Sequence, residues 1–204
     1  MQIDVSDFCR LNVTDSCAAW NVLSSTALYS AAISGGCTLC CTQFVEYECL
    51  HKRRGIPTPG DVAIQQRFRN EVQQGKITVY HLDIADLQEV EILENRKRLS
   101  KGELSSIAFA KRTNQAFLTD DQKARKLARC TLPQKRVQTT PHLLGWLYFA
   151  GILTDGCLDA IISDHNAHGR PLEPHFRAAH AEAARCTALA RQAASVPSDD
   201  EIHL

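Results

Sequence analysis

Short blocks of apolar and β-branched residues alternate along this chain with longer stretches of helical periodicity. The strand candidates are 10–14 (RLNVT), 39–42, 77–82 (ITVYHL), 115–119 (QAFLT) and 136–139. Between them, 16–32 is an Ala- and Leu-rich helix candidate closed by Gly35-Gly36, and 44–52 is one stopped by Gly55 and Pro57. Thr58-Pro59-Gly60-Asp61 has the form of a helix start with proline in the first turn, leading into 62–74, which Gly75 ends. The stretch 85–99 carries Leu87, Val90, Ile92 and Leu93 on one side. Ser100-Lys101-Gly102-Glu103 has the spacing of a capping box and opens a helix over 103–112. Helices at 120–130, 141–150, 155–166 and 174–192 complete the pattern. Strands that alternate with helices predict βαβ units. The expected fold is therefore α/β: a three-layer α/β/α sandwich with a mainly parallel central sheet, plus C-terminal helices. The expected organisation is a core at 1–153, a helical extension packing on it at 154–193, and a disordered acidic tail at 194–204.

Composition narrows the function classes. The chain has 204 residues, 44% hydrophobic and 23% charged, which suits one soluble domain with a sizeable core. No apolar run approaches the roughly 18 residues that a membrane span needs. The longest apolar patch, 143–153, is interrupted by Gly145 and Gly151. Asp4 and Asp7 stand where a signal peptide carries basic residues, so the expected location is cytoplasmic, away from membranes. Twenty-three basic residues balance 23 acidic ones, which weighs against a protein held to nucleic acid by bulk charge. The basic residues are clustered, at Lys52-Arg53-Arg54, Arg67 with Arg69, Arg96-Lys97-Arg98 with Lys101, and Lys123 with Arg125-Lys126. Such clusters are usually solvated faces, but on one shared rim they hold phosphates. Lys101 and Lys123 are the candidates for contacting a substrate phosphate. The cysteines number nine, an odd count, and several sit in apolar stretches, as free thiols of a reducing compartment do. Cys37, Cys40, Cys41, Cys49 and His51 offer a Cys-x2-Cys spacing, but on a buried strand whose side chains alternate they do not converge on one zinc ion.

The acids carry the more specific signal. An open α/β sheet binds ligands at the carboxyl ends of its strands. Asp15 follows the first strand candidate directly, and Asp120 and Asp121 follow the strand at 115–119. Glu46 and Glu48 lie on the helix after the strand at 39–42, and Glu103 lies in the first turn of its helix, 18 positions before Asp121. Hard divalent cations, Mg2+ or Mn2+, take carboxylate oxygens of this kind together with water and substrate phosphate, and need no protein nucleophile. Gly-x-Ser-x-Gly elbows and glycine-rich phosphate loops are absent from the sequence. The competing structural reading is that Asp15 and Asp120 cap the helices after them and Glu103 completes a capping box.

The segment 101–110 (KGELSSIAFA), followed by 117–128 (FLTDDQKARKLA), resembles the PIN-domain family in its Gly-Glu-x-x-x-Ile-Ala-x-Ala run and its strand ending in Thr-Asp-Asp. Asp15-Ser16 resembles the family's first acid with its following hydroxyl, and 137–140, Leu143-Leu144 and 151–153 resemble its closing strand and helix. The resemblance spans about 11 to 189. It implies Asp15, Glu103 and Asp121 as first, third and fourth acids, Asp120 as an auxiliary metal ligand, and Glu48 or Glu46 as the second acid, with Glu48 preferred. Ser16 and Thr119 would support the acids. Cys17 departs from the Asn or Ser that many members carry. The implied activity is metal-dependent endoribonuclease chemistry on RNA, in a toxin or defence setting, with an antitoxin or a homodimer as the protein association. A catalytically silent RNA-binding module and a DNA-cutting nuclease are the alternatives. Trp20, Tyr29, Trp146, Tyr148 and Phe149 lie on apolar helices, which favours core packing or a subunit interface over base stacking. His165 and His168 are either metal ligands or parts of a polar loop.

Overall fold

Strand β1 (Leu11–Thr14) buries Asn12, Val13 and Thr14 at the centre of the sheet in the computed structural model, which describes residues 4–52 and 55–194. From there the chain runs through α1 (Ser16–Ser24), α2 (Thr26–Ser34), β2 (Thr38–Thr42), α3 (Gln43–Leu50), α4 (Pro59–Gln73) and β3 (Ile77–Tyr80). It then crosses back over β1 through α5 (Ile84–Arg96) and α6 (Lys101–Thr113) to β4 (Ala116–Leu118), and continues as α7 (Gln122–Arg129) and β5 (Val137–Gln138). Helices α8 (Thr140–Phe149), α9 (Leu158–Ala167) and α10 (Glu173–Ala194) follow. The order β3-β2-β1-β4-β5 is parallel at every pairing, so the sheet is wholly parallel. The fold is a three-layer α/β/α sandwich with C-terminal helices.

Two apolar clusters, one on each face of the sheet, hold the layers. Leu39, Cys41, Ile77 and Leu118 meet α1, α2, α4 and α8 on one face, and Phe176, Ala179 and Ala183 of α10 join that cluster. Val13, Cys40, Phe117 and Val137 meet α5, α6 and α7 on the other. Strand alternation turns Cys40 and Cys41 to opposite faces. Direction reverses between β1 and β4, the kind of switch point where α/β sheets open a crevice at their carboxyl edge.

Local chemistry sets the boundaries. The helix expected over 16–32 is two helices, because Ser25 adopts an extended conformation (φ −118°, ψ 124°) and its hydroxyl accepts from the amide of Leu28. Short hydroxyl side chains offer the backbone such alternatives, and Ser24-Ser25-Thr26 is a run of three. The helix expected from 120 begins at Gln122, with Asp121 as its N-cap. The helix expected over 155–166 opens as a 3-10 turn at Asp155–Cys157 before α9 begins. The capping box expected at Ser100 with Glu103 forms, and so do capping boxes at Thr58 with Asp61 and Asp83 with Asp86. Helix α10 reaches Ala194, and the tail after it, like Arg53 and Arg54 of the first basic cluster, lies outside the described residues. No helix among the described residues is long and apolar enough to cross a membrane.

Candidate functional site

The carboxyl edges of β1, β2 and β4 carry the acids. Asp15 continues the β1–β4 ladder, its amide donating to the carbonyl of Leu118 (3.3 Å), and its side chain is fully buried. Oδ1 accepts from the amide of Ala18 (2.8 Å), which N-caps α1, and Oδ2 accepts from the Thr119 hydroxyl. Burial pushes the Asp15 carboxyl up to about 7 against the pull of those two hydrogen bonds, and the charges of Asp120 and Glu103 add to the push.

Glu48 reaches the same edge from α3. The Ser16 hydroxyl donates to its Oε2 (2.9 Å), and the Gly102 amide and Lys52 Nζ approach Oε1 at 3.4 and 3.3 Å. Glu46, two positions earlier on α3, is half-buried, and its charge is felt by Cys41. The charge of Glu48 is the one felt at Glu103. Of the two alternatives for the second acid, Glu48 is the one beside the others.

Glu103 is half-buried, with Oε2 accepting from the amide of Ser100 (2.7 Å). Burial raises its carboxyl, Asp121 and Glu48 raise it further, and the Ser100 hydrogen bonds oppose them. Small residues let α6 bring Glu103 to this edge: the Ser105 hydroxyl bonds Thr42 Oγ1 (2.7 Å), and the Ser106 hydroxyl donates to the carbonyl of Thr14 (3.3 Å).

The adjacent aspartates part company. Asp121 caps α7, Oδ1 accepting from the amides of Lys123 (2.7 Å) and Ala124 (2.8 Å), while its own amide donates to Thr119 Oγ1 (3.1 Å). The cap expected from Asp120 is thus made by Asp121. Asp120 turns inward: its Oδ1 accepts from the Thr140 amide (2.9 Å), and its Oδ2 from the Thr140 hydroxyl (2.5 Å) and Asn21 Nδ2 (2.7 Å). Asn21 and Thr140, which position this acid, were not singled out in the sequence. Asn21 could have been, as a polar residue inside the apolar run after Asp15.

Around the acids the remaining candidates separate. Cys17 lies beside them, its thiol pushed up to about 12 by burial and by Asp15 and Asp120, so it stays protonated. Lys101 pairs with Glu94, and Lys123 is exposed on α7. His165 is buried with both ring nitrogens facing backbone carbonyls, Ile161 O at 2.9 Å and Asn21 O at 2.8 Å, so it ties α9 to α1 and has no nitrogen turned to a metal. Tyr29, Trp146 and Tyr148 are buried in the core, and Phe149 and Trp20 pack against it half-buried.

The donor set has the chemistry of a Mg2+ or Mn2+ site: carboxylate oxygens that raise one another's proton affinity. No ion pair among the described residues neutralises Asp15, Glu103, Asp120 or Asp121. Their capping bonds nonetheless hold them apart. Among the described residues no three histidine, cysteine, aspartate or glutamate side chains are drawn together closely enough to hold a metal ion as they stand. Asp15 Oδ1 and Oδ2 each accept one of the bonds above and so keep a second lone pair, whereas Asp121 Oδ1 and Asp120 Oδ2 each already accept two. An ion would have to turn the acids to gather them. No family model matches the chain, and no curated protein matches it.

Proposed function

We propose that this chain is a metal-dependent endoribonuclease of PIN type, cleaving phosphodiester bonds of single-stranded RNA. One observation carries the reading. Acids from separate segments (Asp15, Glu48, Glu103, and Asp120 with Asp121) lie along the carboxyl edge around the switch point of a parallel sheet, near enough to feel one another's charge, and burial pushes the carboxyl of the fully buried one, Asp15, up to about 7. A buried carboxyl with a strongly shifted proton affinity, among other acids and without a cationic partner among the described residues, is a pattern that marks candidate functional sites.

In this reading Asp15, Glu103 and Asp121 hold a Mg2+ or Mn2+ ion, with Asp120 as the auxiliary. Such an ion supplies positive charge at the scissile phosphate and activates a water. The chain's own part is positional. Thr119 holds Asp15, Ser16 and Gly102 hold Glu48, and Asn21 and Thr140 hold Asp120. Glu48, held by the Ser16 hydroxyl on Oε2 and by Lys52 on Oε1, is in this reading the acid that orients a water or accepts its proton.

The test is cleavage of RNA and DNA oligonucleotides, single- and double-stranded, in manganese and in chelator, with Asp15→Asn as control. Manganese-dependent cleavage of single-stranded RNA that Asp15→Asn abolishes is the expected result. Cleavage of DNA alone would move the substrate class. The capping bonds on Asp15, Glu103 and Asp121 favour one second reading, a silent RNA-binding module with this fold. RNA bound but uncut in every divalent metal would establish that reading instead.

A further inference from the structure

On one side of Glu48 lies a hollow of ≈ 560 Å³, lined by Trp20, Lys52, Asp61, Gln65 and Arg170 as well as Glu48 itself. Its volume is in the small-molecule range of roughly 300–1,000 Å³. The guanidinium of Arg170 lies over the Trp20 ring, 4.8 Å from its centroid. That stack is fixed to the acids: Arg170 Nη1 donates to Asn21 Oδ1 (3.4 Å), and Asn21 Nδ2 donates to Asp120. The Trp20 indole N–H is buried with no hydrogen-bond partner among the described residues. A tryptophan kept only for packing normally satisfies that group.

We propose that this hollow receives one nucleobase of the bound strand, next to the phosphate at the acid cluster; the inference rests on the nuclease reading above. Three features select a base over a phosphate. The guanidinium–indole stack is a planar platform of the kind on which bases lie regardless of sequence. The carboxylates of Glu48 and Asp61 at the wall repel phosphate and accept from the amino edge of a base. Lys52, half-exposed and 3.3 Å from Glu48, sits between this hollow and a second one of ≈ 580 Å³ beside Phe44, Tyr47 and Lys101, so the sugar–phosphate chain has a cation at the crossing. The strand thus passes Glu48 with one base in the Trp20 hollow.

The experiment is calorimetric titration of the full chain with each nucleoside 5′-monophosphate, in chelator so that no cleavage occurs. Wild type, Trp20→Leu and Arg170→Met are compared, and melting curves verify that the variants fold. At least one nucleotide binds saturably to wild type, and each variant weakens binding about ten- to a hundredfold, the range set by one base–aromatic stack. On single-stranded RNA in manganese the same variants show their loss mainly in KM. Should no nucleotide bind, or binding survive both substitutions, the proposal falls. The two readings separate cleanly. Cleavage that depends on Asp121 but has the same KM in wild type and both variants overturns the base pocket and leaves the nuclease. Nucleotide binding lost in both variants, with no cleavage of any nucleic acid, leaves the pocket and overturns the nuclease.

Discussion

Gly102 and Glu48 are packed so closely that no side chain fits between them. A Cβ at position 102 would lie 2.6 Å from Glu48 Oε2 and 2.8 Å from its carboxyl carbon. Gly102 sits in the first turn of α6, where it is a poor helix former. The local choice runs against propensity so that the carboxylate of α3 can reach the N-terminus of α6, where the helix dipole favours negative charge.

Gly102→Ala tests what that closeness is for. Alanine gains up to about 1 kcal/mol of helix propensity, and the displaced group is the end of a flexible side chain, so the melting temperature should stay level or rise. Cleavage should fall by tenfold or more, because Glu48 must leave the cluster. Full activity in a stably folded Gly102→Ala protein would remove Glu48 from the catalytic set.

Asp120 and Asp121 should differ in opposite ways for stability and rate. Asn is as good an N-cap as Asp, so Asp121→Asn should change stability by no more than about 0.5 kcal/mol. Its cleavage rate should fall by orders of magnitude. Asp120→Asn sets an amide N–H2 against the donors of Asn21 and Thr140, which should lower stability by about 1–3 kcal/mol. Its loss of rate per folded molecule should be the smaller one. Denaturant unfolding beside single-turnover cleavage checks both orders, and a dead Asp120→Asn with a fully active Asp121→Asn would invert the assignment.

The Asp15 carboxyl predicts a pH dependence of known sign. Its ordinary value is 3.8 and its folded value about 7, so between those pH values the folded state keeps a proton that the unfolded chain has released. The stabilisation is complete below the unfolded value and is lost as pH rises through about 7, and is on the order of 4 kcal/mol. In chelator the melting temperature of wild type relative to Asp15→Asn, which does not titrate, should therefore drop between about pH 5.5 and pH 8. A constant difference across that range would show that Asp15 ionises normally.

Metal should act on the same group in the opposite direction. Ligands bind metal when deprotonated, so manganese should raise the melting temperature more at about pH 8 than at pH 5.5. The rise should shrink in Asp15→Asn. Superimposable melting curves in manganese and in chelator at the higher pH would argue against a metal site altogether.

The alternation of strand and helix was readable along the chain because hydrophobic period and punctuation agree, as at Ile77–Tyr80 after Gly75 and at Ser100 to Glu103. The break at Ser25 was not, since an apolar period runs on through it and only the hydroxyl's competition for the backbone stops the helix. Which of two neighbouring aspartates faces inward was also hidden. Residues leaving a strand in succession differ mainly in which side of the edge they face. Here the decision lies with donors 99 and 20 residues away, on α1 and at the start of α8. The caps were legible as motifs, but their effect on the site, turning Asp15, Glu103 and Asp121 each toward its own helix, depends on how those helix starts meet in space.

Asn21 gives the C-terminal helices a hold on this chemistry. Its side chain joins Asp120 to Arg170, and its carbonyl faces His165 of α9, so the orientation of an acid after β4 depends on groups that follow the sheet by many residues. A segment ending after α8 would be no interchangeable cassette, because grafting it onto another scaffold would leave Asn21 without two of its anchors. Drift in α9 and the loop behind it is accordingly restrained by what happens at the strand ends, and a chimera with a foreign C-terminal half would have to reinvent that restraint to work.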